Sequence, residues 1–129
     1  PGERKGGLLP GIQNENLLQM HTFPCENGDE FPKNQYTKWF DYDKIKGTLS
    51  LRHRQPGDYL TLPSGGRKTL KSWMIDEKIP RQEREEIWLL AEEKHILWIV
   101  GHRISAYYKI TEQTKTILEV EFNGGKSSG

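Results

Sequence analysis

The sequence predicts an α+β domain of roughly seven short strands with a pair of short helices inserted midway. Three observations lead there. Residues 48–54 and 116–122 alternate apolar and polar side chains, the period of a strand with one buried face. Residues 69–78 instead place Leu70, Trp73 and Met74 at helical spacing. Two apolar runs, Ile87-Trp88-Leu89-Leu90-Ala91 and His95-Ile96-Leu97-Trp98-Ile99-Val100, have the length and composition of strands buried on both faces.

Residues 1–20 are rich in Gly, Pro, Asn and Gln without a sustained period, and read as a flexible lead-in with a short element near its end. Residues 21–122 are expected to form the domain, and 123–129, Asn-Gly-Gly-Lys-Ser-Ser-Gly, a loose tail. Within the domain, Tyr36-Thr37-Lys38-Trp39-Phe40-Asp41-Tyr42 is aromatic and β-prone, and Asp43 to Gly47 forms the turn after it. The next strand sets Leu49, Leu51 and His53 on one side, with Ser50, Arg52 and Arg54 on the other. On that reading His53 is a hydrogen-bonded core histidine and the two arginines share an outward face. Gln55-Pro56-Gly57-Asp58 breaks the strand as a type II turn, with Pro and Gly at its central positions.

Residues 59–62 resume a short strand, and Pro63-Ser64-Gly65-Gly66 turns again, leading into the first helix. Pro80 suits the first position of a second helix over residues 80–86, where Arg81 and Arg84, three apart, point the same way. Glu92-Glu93-Lys94 reads as a hairpin loop between the two apolar runs. In the last strand Leu118, Val120 and Phe122 alternate with Ile117, Glu119 and Glu121.

The core supply is modest, with 33% hydrophobic against 29% charged residues, so the four tryptophans, five tyrosines and four phenylalanines must carry much of the burial. No run approaches the roughly 20 apolar residues of a membrane helix. The first residues lack the apolar stretch of a signal peptide and an initiator methionine, and the chain reads as a piece of something longer. A single cysteine, Cys25, excludes an internal disulfide and a Cys-cluster zinc site, and a cytoplasmic origin is the default expectation.

A net charge of +1 hides an asymmetry. Between Lys44 and Arg84 lie ten of the nineteen Lys/Arg but only four of the eighteen acids. Segregated positive charge suits a polyanion, unless the residues scatter over several faces as ordinary solvated charge.

Catalytic constellations are weak. His21, His53, His95 and His102 share no metal-ligand spacing. Asp41 and Asp43 would project from one strand face, but no second acid cluster accompanies them, and acids at a strand end more often shape a turn. Ser64, Ser72 and Ser105 lack a Gly-x-Ser-x-Gly setting. Ser64-Gly65-Gly66-Arg67-Lys68-Thr69 reads as a strand-to-helix loop that favours an anion. It matches neither dinucleotide nor P-loop spacing, and it opens like a pyrophosphatase loop only to continue with Arg and Lys instead of Asp and Ser. An RNA phosphate is the better occupant.

Four motifs in register give a resemblance. They are Leu51-Arg52-x-Arg54-x-Pro56-Gly57-Asp58, then Lys68-x-Leu70-Lys71, then Asp76-x-Lys78-Ile79-Pro80-Arg81-x-Glu83-Arg84, then Ile96-Leu97-Trp98-Ile99-Val100-Gly101-x-Arg103-Ile104. With the lead-in Tyr-Thr-Lys-Trp-Phe-Asp-Tyr-Asp they cover residues 36–108, and the whole resembles the C-terminal domain of bacterial tRNA(Ile)-lysidine synthetases. The resemblance implies a layered, sandwich-like α+β fold shared with a phenylalanyl-tRNA synthetase subunit. It implies a parent ligase that uses ATP, Mg²⁺ and lysine in an N-terminal domain to convert the wobble cytidine of an isoleucine tRNA to lysidine. This chain would carry no catalytic site, cofactor or metal of its own. It would hold the tRNA at its acceptor stem beside the parent's other domains, with no membrane contact.

On that resemblance Arg52, Arg54, Lys68, Lys71, Lys78, Arg81, Arg84 and Arg103 match the family's basic positions and are expected to bind RNA. Pro56, Gly57, Asp58 and Pro80 match turn positions that shape the surface. After Arg84 the family often has a proline, and here Glu85-Glu86 stands instead, acids able to weaken a neighbouring phosphate contact. The rival reading is a protein–protein interaction module in which aromatic and acidic surfaces dock another domain without touching RNA.

Overall fold

The computed structural model describes residues 17–26 and 35–123. Among them run nine strands and two α-helices: β1 Leu18–Pro24, β2 Thr37–Asp41, β3 Leu49–Arg52, β4 Tyr59–Thr61, β5 Arg67–Thr69, α1 Leu70–Asp76, α2 Arg81–Arg84, β6 Leu89–Glu92, β7 His95–Ile99, β8 Arg103–Ile104 and β9 Thr116–Phe122. They form a three-stranded antiparallel sheet, β1-β9-β2, and a six-stranded mixed sheet ordered β3-β6-β7-β4-β5. In the larger sheet one edge of β7 pairs with β6. The other is divided between β4, parallel at Tyr59–His95, and β8, antiparallel at Trp98–Ile104.

Two apolar clusters hold three layers together. Leu18 and Met20 of β1, Phe40 of β2, and Leu118, Val120 and Phe122 of β9 meet Leu49, Leu51, Leu90, Leu97 and Trp98 from the larger sheet. On that sheet's other face Leu60, Leu89, Ala91, Ile96 and Ile99 pack against Leu70, Trp73 and Met74 of α1 and Ile79 beyond it. A bulge makes this possible: Ala91 pairs with Ile96 but Leu90 with Trp98, so Leu97 is an extra residue. It lets consecutive Leu97 and Trp98 face the same cluster, which strict alternation would forbid. The continuous apolar runs of the sequence are thus strands covered on both faces, as expected.

α1 starts at an N-cap, where the Thr69 side chain accepts from Ser72 N. It ends in a Schellman arrangement, Ile79 N to Met74 O and Lys78 N to Ile75 O, both at 3.0 Å. That cap puts Lys78 at φ 56°, the left-handed position glycine usually fills. The Gln55–Asp58 turn is type II as expected, with Gly57 at φ 90° and Asp58 N 3.3 Å from Gln55 O.

Four expectations are corrected. The strand carrying Arg52 ends there, so Arg54 and His53 lie beyond it. His53 is exposed, stacked on Trp88 at 4.1 Å between ring centroids, because the chain leaves the sheet before the apolar face reaches it. The Ser64–Gly66 stretch does not open a helix. It is the tip of a hairpin, since Arg67–Thr69 forms edge strand β5, and Leu62 N donates to Gly66 O at 2.8 Å. Finally, Leu18–Met20, placed in the lead-in, belong to β1, paired along its length with β9. The rest of the lead-in and the tail after Asn123 lie outside the described residues.

Candidate nucleic-acid interface

A cleft of about 530 Å³ lies where the Gln55–Asp58 turn meets the start of α1, and Arg54, Lys71 and Glu85 line it with Thr69 and the turn itself. Its floor is tightly tied. Asp58 accepts from Arg52 Nη1 and Nη2, both at 2.9 Å, and from Gln55 N at 2.8 Å, while Leu70 N donates to Asp58 O at 2.9 Å. One buried residue therefore joins three parts, the strand end and the turn through its carboxylate and the helix start through its backbone carbonyl.

Arg52 consequently departs from the outward position expected of it. Its guanidinium makes two further bonds, Nη2 to Glu93 O at 2.7 Å and Nη1 to His53 O at 3.0 Å, and the side chain is 13% exposed. It braces the turn. Arg54 does reach the cleft, where Nε and Nη2 donate to Glu85 Oε2 at 2.9 and 2.8 Å. Glu85 thus holds the arginine that lines the cleft.

The other expected residues divide in two. Lys68 is paired with Asp76 of α1, and Arg84 donates from Nε to Ile79 O at 2.9 Å, each tied to the helical layer. Lys71, Lys78, Arg81 and Arg103 are exposed and make no ion pair among the described residues. Lys71 lines the cleft, and Arg81 and Arg84 lie on the short helix leading into Glu85. Arg103 is not brought to this cleft: with Lys38 and Lys109 it lines a separate one of about 310 Å³.

The paired aspartates are turn groups. Asp41 accepts from Asp43 N at 3.0 Å, and Asp43 accepts from Lys115 N at 2.7 Å. The Gly65 amide is taken by Leu62 O at 2.8 Å, and Gly66 N faces Ser64 Oγ at 3.5 Å, so the glycine-rich tip does not present the converging free amides that cradle a nucleotide phosphate.

A second surface includes Gly65 and Arg67 of the loop expected to meet a phosphate, but none of the eight residues expected to bind RNA. Lys44, Lys46, Arg67 and Lys94 surround Tyr59, His95 and Tyr107 in a groove of about 710 Å³. His95 stacks on Tyr59 at 4.6 Å and lies 5.1 Å from Tyr107, while its Nε2 is 3.0 Å from Thr61 Oγ1 and 3.2 Å from Ser105 Oγ. Burial, then the nearby Arg67 charge, holds the His95 pKa below its ordinary value, against a smaller opposing effect of Glu92. Burial and a 2.7 Å hydrogen bond to Glu92 push the Tyr108 hydroxyl up. Lys44, Lys46 and Arg67 of this groove lie in the positive segment of the sequence and Lys94 beyond it, and the aromatic members come from three separate segments, which no local spacing could unite.

The family model described as "TilS substrate C-terminal domain" matches residues 49–121, more than half of the chain. The chain belongs to that family. It is 46% identical over 118 residues to a tRNA(Ile)-lysidine synthase of Caldanaerobacter subterraneus subsp. tengcongensis, covering 88% of this chain and 25% of that protein. To the tRNA(Ile)-lysidine synthase of Clostridium tetani it is 41% identical over 119 residues, covering 91% and 26%. A solved structure described as "Crystal structure of TILS C-terminal domain" superposes with a TM-score of 0.59 at 26% identity, covering 92% of this chain and 91% of that one. The layered α+β fold expected from the family resemblance is the fold observed. The chain spans about a quarter of the length of the curated relatives it matches. No helix among the described residues is long and apolar enough to cross a membrane.

Proposed function

We propose that this chain is the tRNA-holding domain of an ATP-dependent ligase that converts the wobble cytidine of an isoleucine tRNA to lysidine, and that it grips the acceptor stem. ATP, Mg²⁺ and lysine would be handled by other domains of that enzyme in the cytoplasm, and this chain would contribute no reacting group. The observation that carries the reading is a rigid cleft bearing exposed cations. The Asp58-centred floor fixes Arg54 and Lys71 relative to one another, and the helix carrying Arg81 runs into the same wall at Glu85.

The chemistry suits double-helical RNA. The major groove of A-form RNA is too deep and narrow for side chains, so a stem is held through phosphates and 2′-hydroxyls. Arg54 has the fork to engage a phosphate bidentately once Glu85 releases it, Arg81 offers a second fork, and Lys71 and Lys78 supply point charges. Arg52 serves as scaffold in this reading.

Titrating the chain with isoleucine tRNA at low and moderate salt tests the reading. Tight binding at low salt that collapses as salt rises, with an acceptor-stem hairpin competing, is expected. Binding that ignores salt, or a hairpin that does not compete, would overturn it. The chain mixed with labelled ATP, lysine and that tRNA should form no lysidine.

A further inference from the structure

We propose that the groove formed by Lys44, Arg67, Tyr59, His95 and Tyr107 is a second RNA site, which takes an unpaired nucleotide by stacking its base and holding its phosphates. The inference rests on the reading of the chain as an RNA-holding domain but uses none of the residues of the acceptor-stem cleft.

Side chains that stack are presented here beside side chains that neutralise. Tyr107 is 42% exposed, an unusual cost for an aromatic ring in a chain with so small an apolar supply. Lys44 Nζ sits 4.9 Å from the centre of that ring, and the Arg67 guanidinium 4.5 Å from the centre of Tyr59. Cation–π contacts at exposed sites are weak, so a base can take the place of Lys44 on Tyr107 and leave the ammonium for a phosphate. Stacked on Tyr59, Arg67 offers its guanidinium plane as a second platform.

The platform is held from behind. His95 contacts Tyr59, Tyr107 and Tyr108, and it is fixed by Thr61 and Ser105. Two acids line the groove beside its four cations. Glu92 is turned inward: it accepts from Tyr108 Oη at 2.7 Å, from Lys46 N at 2.6 Å and from Gly47 N. Its charge is thereby committed to the protein, so that only the exposed Glu93 opposes Lys44, Lys46, Arg67 and Lys94 at the rim. A volume of about 710 Å³ falls within the roughly 300–1,000 Å³ of small-ligand sites.

The two RNA surfaces adjoin. Lys94 lines this groove and donates from Nζ to Pro56 O at 2.8 Å, in the turn that walls the other cleft. A strand leaving a held duplex can therefore pass over Lys94 into the groove. Alternating aromatic and basic side chains are how proteins hold single strands without reading a sequence.

The test uses three probes on the 129-residue chain, a short oligoadenylate, a blunt-ended RNA hairpin and polyglutamate, with Tyr107→Ala, Tyr107→Phe and Arg67→Gln. Tyr107→Ala should weaken oligoadenylate binding about 5- to 150-fold, the effect of losing one stacked base. Tyr107→Phe should retain it, Arg67→Gln should weaken it, and the blunt hairpin should bind all four proteins alike. The proposal is overturned if the wild-type chain ignores oligoadenylate, if Tyr107→Ala binds it as wild type does, or if polyglutamate binds equally well, since charge alone would then suffice. Failure of the hairpin to bind would count against the acceptor-stem reading instead.

Discussion

Arg52 and Asp58 meet through two parallel 2.9 Å hydrogen bonds, Nη1 to Oδ2 and Nη2 to Oδ1, with the carboxylate side chain 1% exposed. The pair closes the Pro56-Gly57 turn and joins it to the β6–β7 hairpin through Glu93 O. Removing one member of a buried pair leaves the other uncompensated, which typically costs about 3–5 kcal/mol. Asp58→Ala should therefore lower stability by about 3 kcal/mol in denaturant titration. Arg52→Lys should not preserve it, because an ammonium cannot reproduce the fork. A loss within about 0.5 kcal/mol, the range of ordinary surface changes, would mean that the turn does not depend on the pair.

Lys78 occupies a left-handed backbone position, φ 56°, at the end of α1. A non-glycine residue there costs about 1–2 kcal/mol per residue in the left-handed region. Lys78→Gly should raise stability by about 1 kcal/mol while weakening RNA binding and flattening its salt dependence. Gained stability with unchanged RNA binding would remove Lys78 from the interface.

His95 titrates below its ordinary value, chiefly because burial disfavours its charged form. Well above pH 6.5 it is uncharged in both folded and unfolded chains and adds no pH dependence. As pH falls below about 6.5, the unfolded chain takes up the proton first, so stability falls with pH across the interval down to the lowered folded value. Denaturant titrations across that interval should show this slope, and His95→Gln should reduce it. An equal slope in the variant would assign the effect to other groups.

Much of the fold was legible because its signals are local. The positions read as the apolar face of the first helix, Leu70, Trp73 and Met74, are buried, and so are Ile96, Leu97, Trp98 and Ile99. β5 was not legible, because Arg-Lys-Thr has no apolar face and becomes a strand only by pairing with β4 at the sheet edge. β1 was mostly missed for a similar reason: its partner β9 lies at the other end of the domain. At the site, sequence gave the cations but not their partners. Asp58 and Glu85 decide which arginine is bound inward and which faces the cleft, and neither contact has a periodicity to read.

The central claim is that Arg54, Lys71 and Arg81 hold RNA phosphates, with Glu85 restraining Arg54. It is tested most directly by the slope of log affinity against log salt for a blunt acceptor-stem hairpin. Wild type would be compared with Arg54→Ala, Lys71→Ala, Arg81→Ala and Glu85→Gln, each verified as folded. Each lost cation should reduce the slope by about 0.7–0.9, the value of one phosphate contact. Glu85→Gln should strengthen binding, because it frees Arg54 from the carboxylate at 2.8 Å. Unchanged slopes in the three cation variants, together with unchanged affinity in Glu85→Gln, would contradict the account.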